Sequence, residues 1–150
     1  MGAKPVCDSF RYPFIRSISG LFALTDSVDP KIGFVFDGIH WYTSGKREDD
    51  LYFCLTHVNR LVNLHLDDAF AGRGMEEQID RERDMPNSTG IIDSTRIVNM
   101  FNKKGYEGPV IVEPMSPTTD RFEKMKPIEV ASECAECLNK IFKEAGVKEY

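Results

Sequence analysis

Residues 32–37 read Ile-Gly-Phe-Val-Phe-Asp, a short apolar run that ends on an acid. Two later segments, Arg60 to Leu66 and Pro109 to Glu113, are also short and largely apolar, and a weaker candidate lies at residues 3–6. Short apolar runs rich in branched and aromatic residues are typical of buried strands in a parallel sheet. These segments therefore predict the strands of the fold.

Amphipathic segments fill the intervals between these strands. Helical spacing of apolar residues predicts helices over residues 14–28, 49–57, 94–104 and 127–145. Ser94 is the expected N-cap of the third helix. Strands that alternate with helices predict an α/β fold with a parallel sheet.

The longest irregular stretch runs from residue 67 to residue 93, with a short helix at 75–81 as an alternative within it. Loops of this length in compact domains are usually functional.

Length and composition limit the possible functions. The chain has 150 residues, which predicts one domain, but a complete (β/α)8 barrel usually needs roughly 250 residues. A net charge of −5 argues against a nucleic-acid partner, because such proteins usually carry a basic surface. The sequence contains no apolar run of about 18 residues, so we expect no membrane association. Four cysteines and the lack of an apolar leader favour a reducing, cytoplasmic setting.

Cys134 and Cys137 form a CxxC pair, which is used in redox and zinc sites. The pair also shares helical spacing with Ala131, Leu138 and Ile141. No second CxxC follows. We therefore expect these cysteines to pack as small apolar residues on one helix face.

The predicted strands end on residues that bind metals. Asp37 closes the first strand, His65 lies near the end of the second, and Glu113 closes the third. In parallel α/β folds the carboxyl ends of the strands form the active face. This set suits Mn²⁺, Mg²⁺, Co²⁺ or Zn²⁺. Each residue also has an ordinary explanation, as a helix cap, a solvated acid or a packed histidine, so the pattern alone leaves both interpretations open.

Four segments follow one another along the chain: GFVFDGIHWYTSG at 33–45, VNLHLDDA at 62–69, RDMPNSTGIID at 83–93 and GYEGPVIVEP at 105–114. In this order and at this spacing they resemble motifs of sugar phosphate isomerases and epimerases of the xylose isomerase-like TIM barrel family. With the helices around them, the resemblance covers roughly residues 10 to 145. It implies a partial TIM barrel: residues 1–150 would be one domain, the C-terminal half of the barrel, with about four β/α units.

The resemblance also implies roles for the residues at the strand ends. Asp37, His65 and Glu113 match three of the family's four metal ligands. Glu113 would also be one of two glutamates that move a proton between adjacent carbons. His40 and Arg83 match residues that contact the substrate, with a solvated loop cation as the alternative for Arg83.

Trp41 is expected to be a wall of the substrate pocket, and ordinary packing is the alternative for this residue.

Several positions depart from the family pattern. The fourth ligand, a glutamate at the end of the fifth strand, would fall at Lys4 or upstream of residue 1, depending on the alignment. A charged lysine cannot ligate a metal. Asp67 replaces the family's asparagine, and Asn87 replaces a glycine, which is a mild change because asparagine tolerates left-handed backbone.

The function that the resemblance implies is a metal-dependent isomerase or epimerase that acts on a sugar or sugar phosphate through an enediolate. The alternatives are a non-catalytic half barrel that binds metal or a small sugar or assembles with another chain, a lyase or dehydratase on the same scaffold, and repair of abasic DNA, which the acidic charge opposes. Because a half barrel exposes two sheet edges, we expect a homo-oligomer or association with a complementary half barrel.

Overall fold

A computed structural model describes residues 18–148 of the chain. Its sheet has three parallel strands in the order β1-β2-β3: β1 at Phe34–Asp37, β2 at Leu61–Leu66 and β3 at Val110–Val112. All three segments predicted as clear strands are confirmed, each somewhat shorter than its apolar run. The weak candidate at residues 3–6, with Lys4, lies outside the described residues. Within residues 18–148 the fold is thus α/β with one open parallel sheet, as expected of a partial barrel.

Helices connect the strands and cover one side of the sheet. Their bounds are Ile18–Val28 (α1), Gly38–Thr43 (α2), Glu48–Thr56 (α3), Ser94–Lys103 (α4), Thr118–Phe122 (α5) and Pro127–Ala145 (α6), with single 3-10 turns at Val58–Arg60 and Met75–Glu77. The four predicted helices are confirmed over the described residues, and the predicted start of the first helix, at residues 14–17, lies outside them. The alternative helix at 75–81 is reduced to the 3-10 turn. None of the described helices is both long and apolar enough to cross a membrane.

The N-cap of α4 is Asp93, so the prediction of Ser94 was wrong. The Asp93 carboxylate accepts a hydrogen bond from the backbone N of Arg96 at 2.8 Å. Ser94 is the first helical residue and is buried, with its hydroxyl 3.4 Å from the carbonyl oxygen of Asp67. Aspartate and serine are both favoured N-cap residues. Here Asp93 is the one whose side chain reaches the backbone N of Arg96, three residues along the chain.

The core lies between the sheet and the helices. Leu64 and Leu66 of β2 are fully buried, and Phe36 of β1 packs against Phe101 of α4 with ring centroids 5.3 Å apart. Because side chains alternate along a strand, His65 points to the other face. Helix packing on one face of the sheet thus fixes the strand whose other face carries His65.

The two cysteines of the CxxC pair lie half-buried on α6 as free thiols. Burial raises the pKa of both thiols above the ordinary value. Cys137 approaches the carbonyl oxygen of Pro86 at 3.7 Å, and Ile141 is buried, whereas Ala131 is exposed. The contacts support the packing interpretation for the cysteines, although the buried face does not extend back to Ala131.

Candidate metal centre

The parallel register brings the predicted ligands to one edge of the sheet. Asp37 at the end of β1 is paired with His65 of β2. Glu113 directly follows β3, and its backbone N donates to the carbonyl oxygen of Leu66 at 2.9 Å. The strand-end placement expected from the sequence is therefore present in the structure.

Asp37, His65 and Glu113 each offer one ligand atom, and these three atoms lie within 4.8 Å of one another. His65 Nδ1 is 2.9 Å from Glu113 Oε2 and 3.7 Å from Asp37 Oδ2. The other carboxylate oxygen of Asp37 caps α2 by accepting from the backbone N of His40 at 3.1 Å. The cap fixes the orientation of the carboxylate, which turns Oδ2 toward the other two residues.

We call this edge of the sheet, with Asp37, His65 and Glu113, the rim. The Arg83 guanidinium lies in the middle of the rim. Its Nη1 is 2.7 Å from Glu113 Oε2, 2.9 Å from Asp37 Oδ2 and 3.2 Å from Asp67 Oδ2. The Arg83 side chain is only 3% exposed. Arg83 is thus a buried part of the site, and the alternative of a solvated loop cation is wrong.

The outer edge of the same guanidinium contacts Asp80 and His40. Arg83 Nε donates to the Asp80 carbonyl oxygen and Nη2 to Asp80 Oδ1, each at 2.8 Å. His40 Nε2 is 3.3 Å from Nη2 and 3.4 Å from Asp80 Oδ1. The structure therefore brings both residues expected to contact substrate, His40 and Arg83, beside the metal-ligand set.

The electrostatics of the rim follow from this packing. Burial alone would raise the pKa of Asp37, but the interaction with His65 and the charges of His40 and Arg83 outweigh it, so the Asp37 pKa lies below its ordinary range. Hydrogen bonds with Asp37 and then Glu113 raise the pKa of His65 to about 9.

The pKa of Asp67 shifts in the opposite direction to that of Asp37. Complete burial and the neighbouring negative charge of Asp37 raise its pKa well above the ordinary value, against the opposing charge of Arg83.

His65 is held in place from its other side. Asn63, which is buried two residues earlier on the same face of β2, places its amide nitrogen 3.1 Å from His65 Nε2. This contact restricts the orientation of the imidazole ring. Nδ1 is left facing the carboxylates.

Trp41 is 2% exposed, and its contacts are with the core, with backbone groups and with Lys46, whose Nζ lies 5.9 Å from the centroid of the indole ring. Its indole Nε1 donates to the carbonyl oxygen of Arg47 at 2.9 Å, and its ring lies 6.2 Å from that of Phe36. These contacts favour packing as its main role, and a contribution to a substrate pocket stays a prediction.

The loop that presents Arg83 is fastened to the end of β2 by Asp68. Two backbone hydrogen bonds, of 3.0 and 2.9 Å, join Asp68 to Asp84. The Asp68 carboxylate accepts four backbone N–H groups at 2.8–2.9 Å, from Ala69, Thr89, Gly90 and Ile92. Asn87 has φ of 60°, the left-handed conformation that a glycine would adopt there. The loop is therefore an ordered part of the site.

Sequence reasoning assigned no role to Asp67, Asp68 or Asp80. The two consecutive acids at the end of β2 were a sign that the loop could fold back on the strand. Acids at the end of a buried strand need hydrogen-bond partners, and the long loop that follows offers backbone amides. Asp80 gave no comparable signal.

The rim residues fit a divalent cation. One imidazole nitrogen and two carboxylate oxygens converge with ligand atoms within 4.8 Å, and these are donors that Mn²⁺, Co²⁺ and Zn²⁺ accept. The guanidinium nitrogen among the carboxylates marks where a positive charge is stabilised.

Comparison with known proteins agrees with the fold. The family model of the xylose isomerase-like TIM barrel matches residues 5–141. A xylose isomerase domain protein from Alicyclobacillus acidocaldarius subsp. acidocaldarius is 26% identical with a TM-score of 0.73, over 97% of this chain and 51% of that one. A xylose isomerase domain containing protein from Salmonella typhimurium LT2 shares the fold at 17% identity and a TM-score of 0.73, over 93% of this chain and 49% of that one.

No curated protein matches the chain. The chain spans about half the length of the solved structures that it matches. With a family model that covers most of its residues, the chain belongs to the xylose isomerase-like TIM barrel family.

Proposed function

We propose that the rim binds a divalent metal ion and that the protein is of the sugar isomerase or epimerase type, acting on a sugar or sugar phosphate by proton transfer through an enediolate. The observation that carries the proposal is the convergence of Asp37, His65 and Glu113 at the ends of consecutive parallel strands.

Glu113 is the proposed acid/base residue. Its side chain is 30% exposed, whereas Asp37 is buried, so Glu113 is the carboxylate of the set that a substrate can reach. A positioned carboxylate contributes typically about 10²–10⁴-fold to proton transfer. His65 and Arg83 both contact Oε2, which fixes the direction in which the carboxylate points.

His40 and Arg83 are the proposed substrate contacts. Arg83 offers forked donors that suit hydroxyl or carbonyl oxygens, and His40 lies beside it with its ring held between Arg83 and Asp80. When bound, the metal would supply Lewis-acid stabilisation of the negative charge that develops on the substrate oxygen. Asp37, His65 and Glu113 would hold it.

Exchange with solvent tests this proposal. The Mn²⁺-loaded protein is incubated in D₂O with a panel of aldoses, ketoses and their phosphates, and deuterium at the carbon beside the carbonyl is measured by mass spectrometry. We expect incorporation for at least one sugar, and a loss of about 10²-fold or more in Glu113→Gln. Glu107→Gln is the matched control, since Glu107 is an exposed glutamate in the same segment. Equal incorporation in the two variants would contradict the role of Glu113.

A non-catalytic role is the second candidate, in which the rim binds metal or a small sugar without turnover. Two features of the described residues favour it: the cluster offers three ligand residues where the family pattern has four, and Arg83 already neutralises the carboxylates. Metal binding with no deuterium incorporation across the panel would support this candidate.

We also propose that the sheet edges formed by β1 and β3 are covered by a second copy or by a complementary half barrel. Each edge strand pairs on one side only within residues 18–148, and Ile111 of β3 is 42% exposed. Open strand edges with exposed apolar residues are sites of association. Light scattering should give a mass above that of the 17.1 kDa chain. A monodisperse monomer at high concentration would contradict self-association.

A further inference from the structure

Arg83 uses the same oxygen atoms that a metal ion would use. Its Nη1 is 2.9 Å from Asp37 Oδ2 and 2.7 Å from Glu113 Oε2, and these belong to the candidate metal ligands. A divalent ion would bond such oxygens at roughly 2.0–2.2 Å. A guanidinium nitrogen and a metal ion that contact the same oxygen atoms repel each other strongly in a buried site. The two cations therefore compete for one position.

The backbone of Arg83 and its guanidinium are held by different contacts. Its outer edge, Nε and Nη2, is held by Asp80, whose side chain is 60% exposed. The backbone at Arg83 is fixed, because its carbonyl oxygen accepts from the backbone N of Met115 at 3.0 Å and the next residue pairs with Asp68. Displacement of Nη1 from the carboxylates therefore calls for a rotation of the Arg83 side chain and not for a movement of its backbone.

We propose that Arg83 is the resident cation of the metal-free rim, that a divalent ion binds by displacing its Nη1 from Asp37 and Glu113, and that the displaced nitrogen is then free for a substrate oxygen. This inference rests on the proposed metal site. It gives an order of binding, since Arg83 is engaged with protein carboxylates until the metal is bound. It also makes Arg83 a determinant of metal affinity.

Calorimetric titration with Mn²⁺ tests the inference on the whole chain. The variants are Arg83→Met, which removes the charge but keeps an unbranched side chain, and Arg81→Met, which removes the same charge at an exposed position of the same loop. We expect Arg83→Met to bind Mn²⁺ about tenfold more tightly than the wild type or better, because the internal competitor is gone. Arg81→Met should change the affinity by less than about twofold, as expected for a screened surface charge.

The outcomes separate this inference from the proposed function. Tighter binding by Arg83→Met alone, or binding by Arg83→Met where the wild type binds nothing, supports displacement. Equal or weaker binding by a folded Arg83→Met overturns the inference and leaves the metal site standing. A failure of both proteins to bind Mn²⁺ overturns both proposals.

A second measurement uses the wild type, so that it does not depend on the folding of a variant. The side-chain nitrogen resonances of Arg83 are followed by NMR as Mg²⁺, a diamagnetic ion that prefers oxygen ligands, is added until the rim resonances stop changing. In the metal-free protein we expect the Arg83 guanidinium to rotate slowly and to exchange its protons slowly with water. At saturation with Mg²⁺ we expect faster rotation and faster proton exchange at Nη1. Resonances of Arg83 that keep both properties at saturation overturn the inference.

Discussion

Replacement of Asp68 by asparagine tests whether the loop that carries Arg83 is held as the structure indicates. The Asp68 carboxylate is fully buried. Oδ1 accepts from the backbone N of Ala69 and Ile92, and Oδ2 accepts from that of Thr89 and Gly90. Asparagine has nearly the same shape but only one acceptor oxygen. Its NH₂ group would face two backbone N–H donors that have lost their partner.

The size of the effect follows from these four hydrogen bonds. A hydrogen bond to a charged group contributes about 1.5–3 kcal/mol, so the loss of two predicts a fall of about 3–6 kcal/mol in the free energy of unfolding. Domains of this kind are stable by only about 5–15 kcal/mol. For 150 residues, each kcal/mol corresponds to roughly 2–4 °C, which gives a fall in Tm of about 6–24 °C.

Urea denaturation and thermal unfolding, followed by circular dichroism, measure this change. Asp93→Asn is the matched control, because it is the same substitution at an exposed helix N-cap, where asparagine caps as well as aspartate. We expect the control to stay within about 0.5 kcal/mol of the wild type. An Asp68→Asn protein as stable as the control would refute the role assigned to Asp68.

Two further predictions concern pH and packing. In the metal-free protein the pKa of His65 is raised to about 9 by Asp37 and Glu113, above its ordinary value of 6.5. The resulting stability is fully present below pH 6.5 and is lost as the pH rises through about 9. Thermal unfolding in chelator should therefore show a smaller fall in Tm between these pH values for His65→Gln than for the wild type, and equal falls would count against a raised pKa of His65. Leu64→Ala should lower the free energy of unfolding by about 2–5 kcal/mol in denaturant titrations, because Leu64 is fully buried. Val62→Ala on the same face of the same strand should cost much less, since Val62 is 40% exposed, and similar losses would contradict the described core.

The strands and the rim were predictable because their signals are local. Each strand is a continuous apolar run, and its last residues lie at the carboxyl edge of a parallel sheet. The placement of Asp37, His65 and Glu113 therefore follows from the sequence once the strands are recognised. Position on the rim depends on the backbone alone, so the family resemblance added the roles of these residues but was not needed for their place.

The position of Arg83 was not predictable in the same way. Its contact with Asp37 spans 46 residues and its contact with Glu113 spans 30, and neither follows a helical or strand period. The side chain reaches the carboxylates because Asp68 folds the loop back on β2, through bonds to backbone groups that any sequence would provide. The short α2 was missed for a related reason, since it begins directly after β1 and depends on the Asp37 cap.

Metal binding at the rim is the central claim, and equilibrium binding of Mn²⁺ to the purified chain tests it most directly. The titration is run on the wild type, on Asp37→Ala, His65→Ala and Glu113→Ala, and on Glu107→Ala as a surface control. The account predicts one Mn²⁺ per wild-type chain, unchanged binding by the control and affinity weaker by about 100-fold or more in each ligand variant. A folded wild-type chain that binds no Mn²⁺, or binding that survives all three ligand substitutions, would contradict it.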